Sequence, residues 1–420
     1  MKPSERIASR LFFVMPRIHY FNPGHETAVL LRSPNYTAPA HVRKMQKDLS
    51  GLPLWYAGEE DYVYVSEDIF NAFSSALPQG IRPRASLLTK EMLKKGIAGL
   101  PTLEVTPWGI SPHSLHVFEL LQEQTMIPLS IPSWKTDYFR LTGRKTAAEC
   151  LERIRSLLRD LSVPAVPHFC MSLEEVERYI TLGHAPFILK TPYSSSGRGL
   201  LWLDRQVLDA KARNWVKGAL SKQGSVSIER RLDKVQDFAL EFYSDGRGDV
   251  RYLGLSVFRT EGRGAYVGNI LEEQERMATR ITRLVGAEVF LRVRDAVRLI
   301  LQMVYGSIYK GCLGVDMLVF RQEDGSYAIH PCVEINMRHT MGMVALRIYQ
   351  EYIRSGSMGE FRINYEKEAG EVYAKHRLLQ EAYPLRMEGG RIREGFLSLC
   401  PVTEETHYQA YIIIKERQKE

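Results

Sequence analysis

GCLGVDMLVFRQEDGSYAIHPCVEINMRHTMG, residues 311–342, is the stretch on which the reading of this chain turns. Residues 313–320 and 327–336 are strand-like runs rich in β-branched and apolar side chains, and residues 321–326 between them carry an Asp-Gly turn signal. The pattern predicts a β-hairpin. With its turn centred on Gly325, Asp316 lies opposite Glu334, and strand alternation puts Asn336 on the same face. Two opposed carboxylates beside an amide are costly in a bare core, because unpaired buried charge is strongly disfavoured. A hard divalent cation resolves the conflict, since Mg²⁺ takes oxygen ligands from one or two carboxylates together with phosphate oxygens. The plainer alternative is a solvated hairpin whose acids pair with Arg338 or other basic residues. This stretch alone leaves the two evenly matched.

Length and composition set the frame. At 420 residues, 45% hydrophobic and 25% charged, the chain is expected to form two or three ordinary globular domains. Its 56 basic and 49 acidic residues leave a net charge of +7, which suits a protein handling small polyanions. No RNA-binding consensus, zinc-finger spacing or basic–aromatic stripe occurs, so nucleic acid is not expected as a partner. Five cysteines (Cys150, Cys170, Cys312, Cys332, Cys400) are widely spaced and lack a CxxC pair. That argues for a reducing compartment and against a disulfide frame or a zinc site. The apolar run at 11–15 is too short for a signal segment, and no run is long enough to span a membrane. A cytoplasmic protein is expected.

Upstream of the hairpin, residues 1–130 alternate strands (17–21, 61–65, 103–106) with helices (41–49, 67–77, 111–123). This predicts a mostly parallel sheet, with ligands beyond the C-terminal strand ends. The loop 22–26, Asn-Pro-Gly-His-Glu, is then a candidate substrate contact, or simply a polar turn. Residues 135–161 read as a helix broken at Gly143. Ser172 and Glu175 form a capping box for a helix over 173–181. A strand over 187–190 ends in Lys190, followed by TPYSSSGRG (191–199) and a strand over 200–203. Small hydroxyls and glycines there offer N–H and O–H donors to a polyphosphate, and Lys190 adds a point charge. The loop is neither a Walker P-loop nor GxGxxG, and a flexible hairpin loop is the alternative. A helix over 204–220 and strands over 225–231, 238–242 and 250–258 follow. A second glycine-rich loop, 259–269, holds Arg259 and Arg263, which would neutralise a transferring phosphoryl group or lie on a mobile surface. A helix over 289–305 leads into the opening stretch, and 395–402 with 407–415 predicts a last, structural hairpin.

The order of these parts resembles the ATP-grasp superfamily: Lys190 before SSSGRG, then Ile228-Glu229-Arg230, then Gly314-Val315-Asp316 facing Glu334-Ile335-Asn336. The resemblance covers about residues 164–342. It implies an α/β plus α+β protein: a Rossmann-like parallel-sheet N-terminal domain (1–130), a helical connector (131–163), and an ATP-grasp fold of two α+β subdomains. These would be a lid (164–232) and a C-terminal subdomain with the hairpin (233–420). By the same resemblance Lys190 contacts phosphate, while Ser194, Ser195, Ser196, Gly197, Arg198 and Gly199 close over the β- and γ-phosphates of ATP. Glu229, Arg230, Arg231 and Leu232 meet adenine, and Asp237 the ribose. Asp316, Glu334 and Asn336 hold Mg²⁺, with Mn²⁺ as a substitute, and Arg338 faces the transferred phosphate beside Arg259 and Arg263.

Two departures stand out. An arginine that some ligases carry two positions before the hairpin aspartate is Gly314 here, and the further phosphate-contacting basic residue is Arg144 or Lys145. The implied chemistry is activation of a carboxylate as an acylphosphate and attack by an amine, with positioning and charge neutralisation supplied by the protein. Small-molecule carboxylate and amine partners are expected, no membrane, and a homodimer on base rate. The alternatives are a small-molecule kinase and a catalytically inactive nucleotide-binding regulator. The intact Asp316/Glu334/Asn336 set argues against the last.

Overall fold

A computed structural model describes residues 15–416 apart from 79, 98, 195, 196, 198 and 263. The described chain folds around three sheets. The first is five-stranded and parallel, in the order Ser86–Leu88, Tyr62–Tyr64, Arg17–Tyr20, Leu103–Pro107, Leu129–Ser130. It is the expected Rossmann-like sheet. Its outer strands, of two and three residues, are too short to show a sequence period. Ile18, Val105 and Phe118 fill the core on one face, while Arg17 and His19 with Glu104 and Thr106 occupy the other.

The second sheet pairs His168–Cys170, Val226–Arg230, Phe187–Lys190 and Leu200–Leu203, in that order. Helices Leu173–Leu182 and Ala210–Gln223 cover it and close a small core around Val176, Leu189, Val216 and Ile228. The second helix starts later than its sequence pattern predicts, because the Asp209 carboxylate caps it by accepting from the Ala212 N–H at 2.7 Å.

The third sheet is antiparallel and nine-stranded. It begins with the hairpin Tyr327–Asn336 and Lys310–Arg321 and continues through Asp233–Asp245, Val250–Glu261 and Ala265–Leu271. Ser357–Tyr365, which the sequence reading leaves out, then joins the expected C-terminal hairpin of Tyr408–Glu416 and Arg391–Ser398 to the rest.

Asp316 does face Glu334, and Gly314 faces Asn336. The turn, however, is centred one residue earlier than Gly325, with Arg321 opposite Tyr327. Between Asp316 and Leu318 the partner then jumps from Glu334 to His330. Pro331 lies in this irregularity, where a residue without an N–H is tolerated in a strand. Two offsets cancel, and the expected pair survives.

The helical stretch after the first sheet breaks at Gly143 into Asp137–Thr142 and Arg144–Leu157. The longer helix packs Ala147, Leu151 and Ile154 into the same core as Val315 and Ile335, so it braces the hairpin from behind. All five cysteines are buried and free. Among the described residues, no helix is long and apolar enough to cross a membrane.

Candidate active site

Antiparallel registry lines up one face of the third sheet. Along Asp233–Asp245, residues Asp237, Ala239, Glu241 and Tyr243 lie beside Leu318, Asp316, Gly314 and Cys312. Glu334 and Asn336 extend two of these rows. Four carboxylates (Asp237, Glu241, Asp316 and Glu334) and the Asn336 amide therefore share a face with little solvent. Burial, then the Glu334 and Glu241 charges, push the Asp316 carboxyl up to about 8.

Cations converge here from three directions. Arg144, at the start of its helix and buried, donates to Glu334 Oε2 at 2.9 Å, to Ser194 Oγ at 2.7 Å and to the Thr191 carbonyl at 2.7 Å. It ties the hairpin to the serine-glycine loop, whereas the neighbouring Lys145 is exposed. Lys190, also buried, forms an ion pair with Glu229. Arg338 donates to Glu26 Oε1 at 2.5 Å, to Asn336 Oδ1 at 2.9 Å and to the His339 carbonyl at 3.0 Å.

The expected loop 22–26 is shorter in the structure, because helix His25–Leu31 begins within it; Glu26, in that helix's first turn, brings the first domain to this centre. Asn22 fixes the loop through two bonds to the Gly109 backbone, of 2.8 and 3.1 Å. Burial pushes the Glu26 carboxyl up, but the Arg338 charge outweighs it and the group titrates below the ordinary range. Its Oε2, both ring nitrogens of His25, Arg144 Nε and Thr191 Oγ1 are buried without hydrogen-bond partners among the described residues.

Glu241 was not singled out by the sequence. It is 1% exposed and accepts from Thr340 Oγ1 at 2.9 Å and Ser256 Oγ at 3.0 Å. Burial pushes it up to about 7. Glycines make its room: a Cβ on Gly342 would stand 2.1 Å from Glu241 Oε1, and one on Gly314 3.0 Å from Oε2. An arginine at Gly314 has no space here.

The two glycine-rich loops meet. Gly197 and Gly199 have φ of +72° and +74°, and a Cβ on Gly197 would lie 2.7 Å from the Gly264 carbonyl oxygen. Ser195, Ser196, Arg198 and Arg263 lie outside the described residues. Arg259 does not join the cluster: it sits on the opposite face of its strand from Phe258 and Ser256 and pairs with Glu360 at 2.8 Å. Arg230 and Arg231 form outward ion pairs with Glu323 and Asp204, at 2.8 and 2.6 Å, and Leu232 is half-buried. Asp237 is on the cluster's face, bonded to Lys234 at 2.5 Å and Thr260 at 2.7 Å.

Among the described residues, no three His, Cys, Asp or Glu side chains gather in a way that could hold a metal. Two opposed carboxylates and an amide, one carboxyl driven up by burial and then by its neighbour's charge, instead fit an oxygen-seeking dication that keeps places for phosphate and water.

No family model and no curated protein matches the sequence. Solved structures do. At 11% identity, the biotin carboxylase–β,γ-ATP complex from Campylobacter jejuni superposes with a TM-score of 0.51, covering 96% of this chain and 88% of that one. The chain has the ATP-grasp fold. N5-carboxyaminoimidazole synthetase from Staphylococcus aureus, complexed with ADP, is 12% identical with a TM-score of 0.47, covering 96% and 94%. L-Amino acid ligase from Bacillus licheniformis is 12% identical with a TM-score of 0.43, covering 96% and 99%. A small pocket of about 10 Å³ lies beside the four-stranded sheet, lined by Arg144, Lys190, Glu229 and Val333.

Proposed function

We propose that this protein is an ATP- and Mg²⁺-dependent ligase that activates a carboxylate as an acylphosphate and passes the acyl group to an amine. One observation carries the reading: Arg144 binds Glu334 of the hairpin and Ser194 of the lid loop at once. The carboxylate face and the phosphate-type loop therefore share a cationic link where a triphosphate would lie. Lys190 and Arg144 supply positive charge to phosphate oxygens, and the lid glycines let backbone approach them. Asp316, Glu334 and Asn336 would hold Mg²⁺, which when bound offsets the charge on the phosphates.

Arg338, at the junction with the N-terminal domain, would hold the substrate carboxylate. One carboxylate oxygen attacks the γ-phosphorus, the bond to the β–γ bridging oxygen breaks, and ADP leaves. The amine nitrogen then adds to the acyl carbon, and the tetrahedral intermediate expels inorganic phosphate while the nitrogen loses a proton. Contact between the Gly197 and Gly264 loops closes the cleft against water, which would otherwise hydrolyse the acylphosphate.

Hydroxylamine tests the reading. With ATP, Mg²⁺ and a panel of carboxylates it should yield a hydroxamate together with ADP, and Lys190→Ala and Glu334→Gln should abolish both. ADP release with a stable phosphate ester and no hydroxamate would instead establish a kinase.

A further inference from the structure

A further cavity lies apart from the cluster of acids and arginines described above. It holds about 710 Å³ and lies between the polar face of the N-terminal sheet and the near end of the nine-stranded sheet. Its lining includes Arg17 and the 58–61 segment that precedes strand Tyr62–Tyr64. The loop 22–26, by contrast, follows the first strand at its C-terminal end. None of Lys190, Asp316, Glu334, Asn336 or Arg338 lines it.

Both walls of this cavity carry charge of both signs. Arg17 and Arg84 stand with Glu59, Glu60, Asp61 and Glu104 on the N-terminal domain, and Glu351 stands with Arg251, Lys310 and Arg347 on the C-terminal sheet and its helix. Most of these charges are already answered: Asp61 by His19 at 3.2 Å, Glu351 and Glu59 by Arg84 at 3.1 and 4.0 Å, and Arg17 and Lys310 by Glu104. Glu60, Arg251 and Arg347 have no ion-pair partner among the described residues. Rings stand between the walls, with His339 stacked on Tyr56 at 4.7 Å and Arg251 lying 5.6 Å from the Tyr243 ring. An anion alone would leave Glu60 unmatched, and a cation alone Arg251 and Arg347. The volume falls in the ordinary range for small-molecule sites.

We propose that this cavity binds a zwitterion, an α-amino acid or a dipeptide, with its ammonium toward Glu60 and its carboxylate toward Arg251 and Arg347. The site is separate from the ligase centre and does not depend on that reading. His339, in the cavity wall, follows Arg338 directly in the chain, so an occupant would touch the segment that carries the reaction-centre arginine.

Calorimetric titration of the full chain, without nucleotide, tests this directly. The probes are the common L-amino acids and their glycyl dipeptides, followed by the deaminated and the decarboxylated analogue of whichever binds. Binding by at least one probe is expected, with each analogue weaker by about tenfold or more. Arg251→Ala/Arg347→Ala should weaken the zwitterion about tenfold while leaving the decarboxylated analogue unchanged. Glu60→Gln, on an exposed loop, carries the same test from the other wall should the double variant fail to fold. Absence of binding by every probe, analogues that bind as tightly as the parent, or variants that bind like wild type would each overturn the proposal. Nucleotide plays no part in the titration, so its outcome is distinct from that of the hydroxamate assay.

Discussion

Two hydroxyls and little else answer the buried charge of Glu241. The group titrates near 7 in the folded chain, against an ordinary 4.5, so the native state holds a proton that the unfolded state gives up across that interval. Wild-type stability should therefore decline as pH rises from 4.5 to 7, and Glu241→Gln should escape the decline. The variant's melting temperature relative to wild type should climb between pH 5 and pH 8, by an amount equivalent to about 1–3 kcal/mol. A flat difference would mean the carboxylate is solvated. Buried histidines act in the opposite sense. Burial holds His25 and His330 down to about 4, against 6.5 unfolded, so stability present above pH 6.5 is lost as pH falls toward 4. His330→Gln should shrink that loss in a pH series of thermal melts. Asp316 and Glu334 were legible in the sequence because strand alternation is local. Glu241 was not, because its partners Ser256 and Thr340 lie 15 and 99 positions away and only the assembled sheet brings them close.

Elements with a strong local period were read well: the hairpin, the capped helix Leu173–Leu182 and the break at Gly143 all sit where pattern puts them. Helix Met341–Tyr352 was missed. It starts immediately after the hairpin motif, is capped by Thr340 accepting from Met343 N–H at 3.0 Å, and its first half is apolar, with a polar face of only Arg347, Gln350 and Glu351 in its last two turns. Its first turn fits against the sheet only because residue 342 has no side chain. Gly342→Ala should cost about 1–3 kcal/mol, measured by denaturant unfolding, because Glu241 Oε1 and Ser256 Oγ stand 2.1 and 2.3 Å from the new Cβ. Unchanged stability would show that the helix can lift without penalty. The helix Arg144–Leu157 teaches a related point: its amphipathic pattern announces a helix but not that its first residue bridges hairpin and lid.

At the scale of the molecule, the three-part architecture was legible because alternation of strand and helix, then a glycine-rich loop, then a hairpin of acids is a long and ordered pattern. How the N-terminal domain engages the rest was not. That depends on single long-range contacts, such as Glu26 with Arg338 and the Trp55 indole N–H donating to the Leu399 carbonyl at 2.6 Å. The central claim is that lid loop, Arg144 and the carboxylate face form one site for ATP with Mg²⁺. It is tested most directly by thermal unfolding of wild type and of Asp316→Asn/Glu334→Gln, each with and without ATP, in Mg²⁺ or in EDTA. A ligand at about a hundred times its Kd adds roughly 2.7 kcal/mol to the folded state. The account predicts an upward shift of that order in wild type that needs both ATP and Mg²⁺ and is largely lost in the double variant. No shift with ATP, or an equal shift in the double variant, would contradict it.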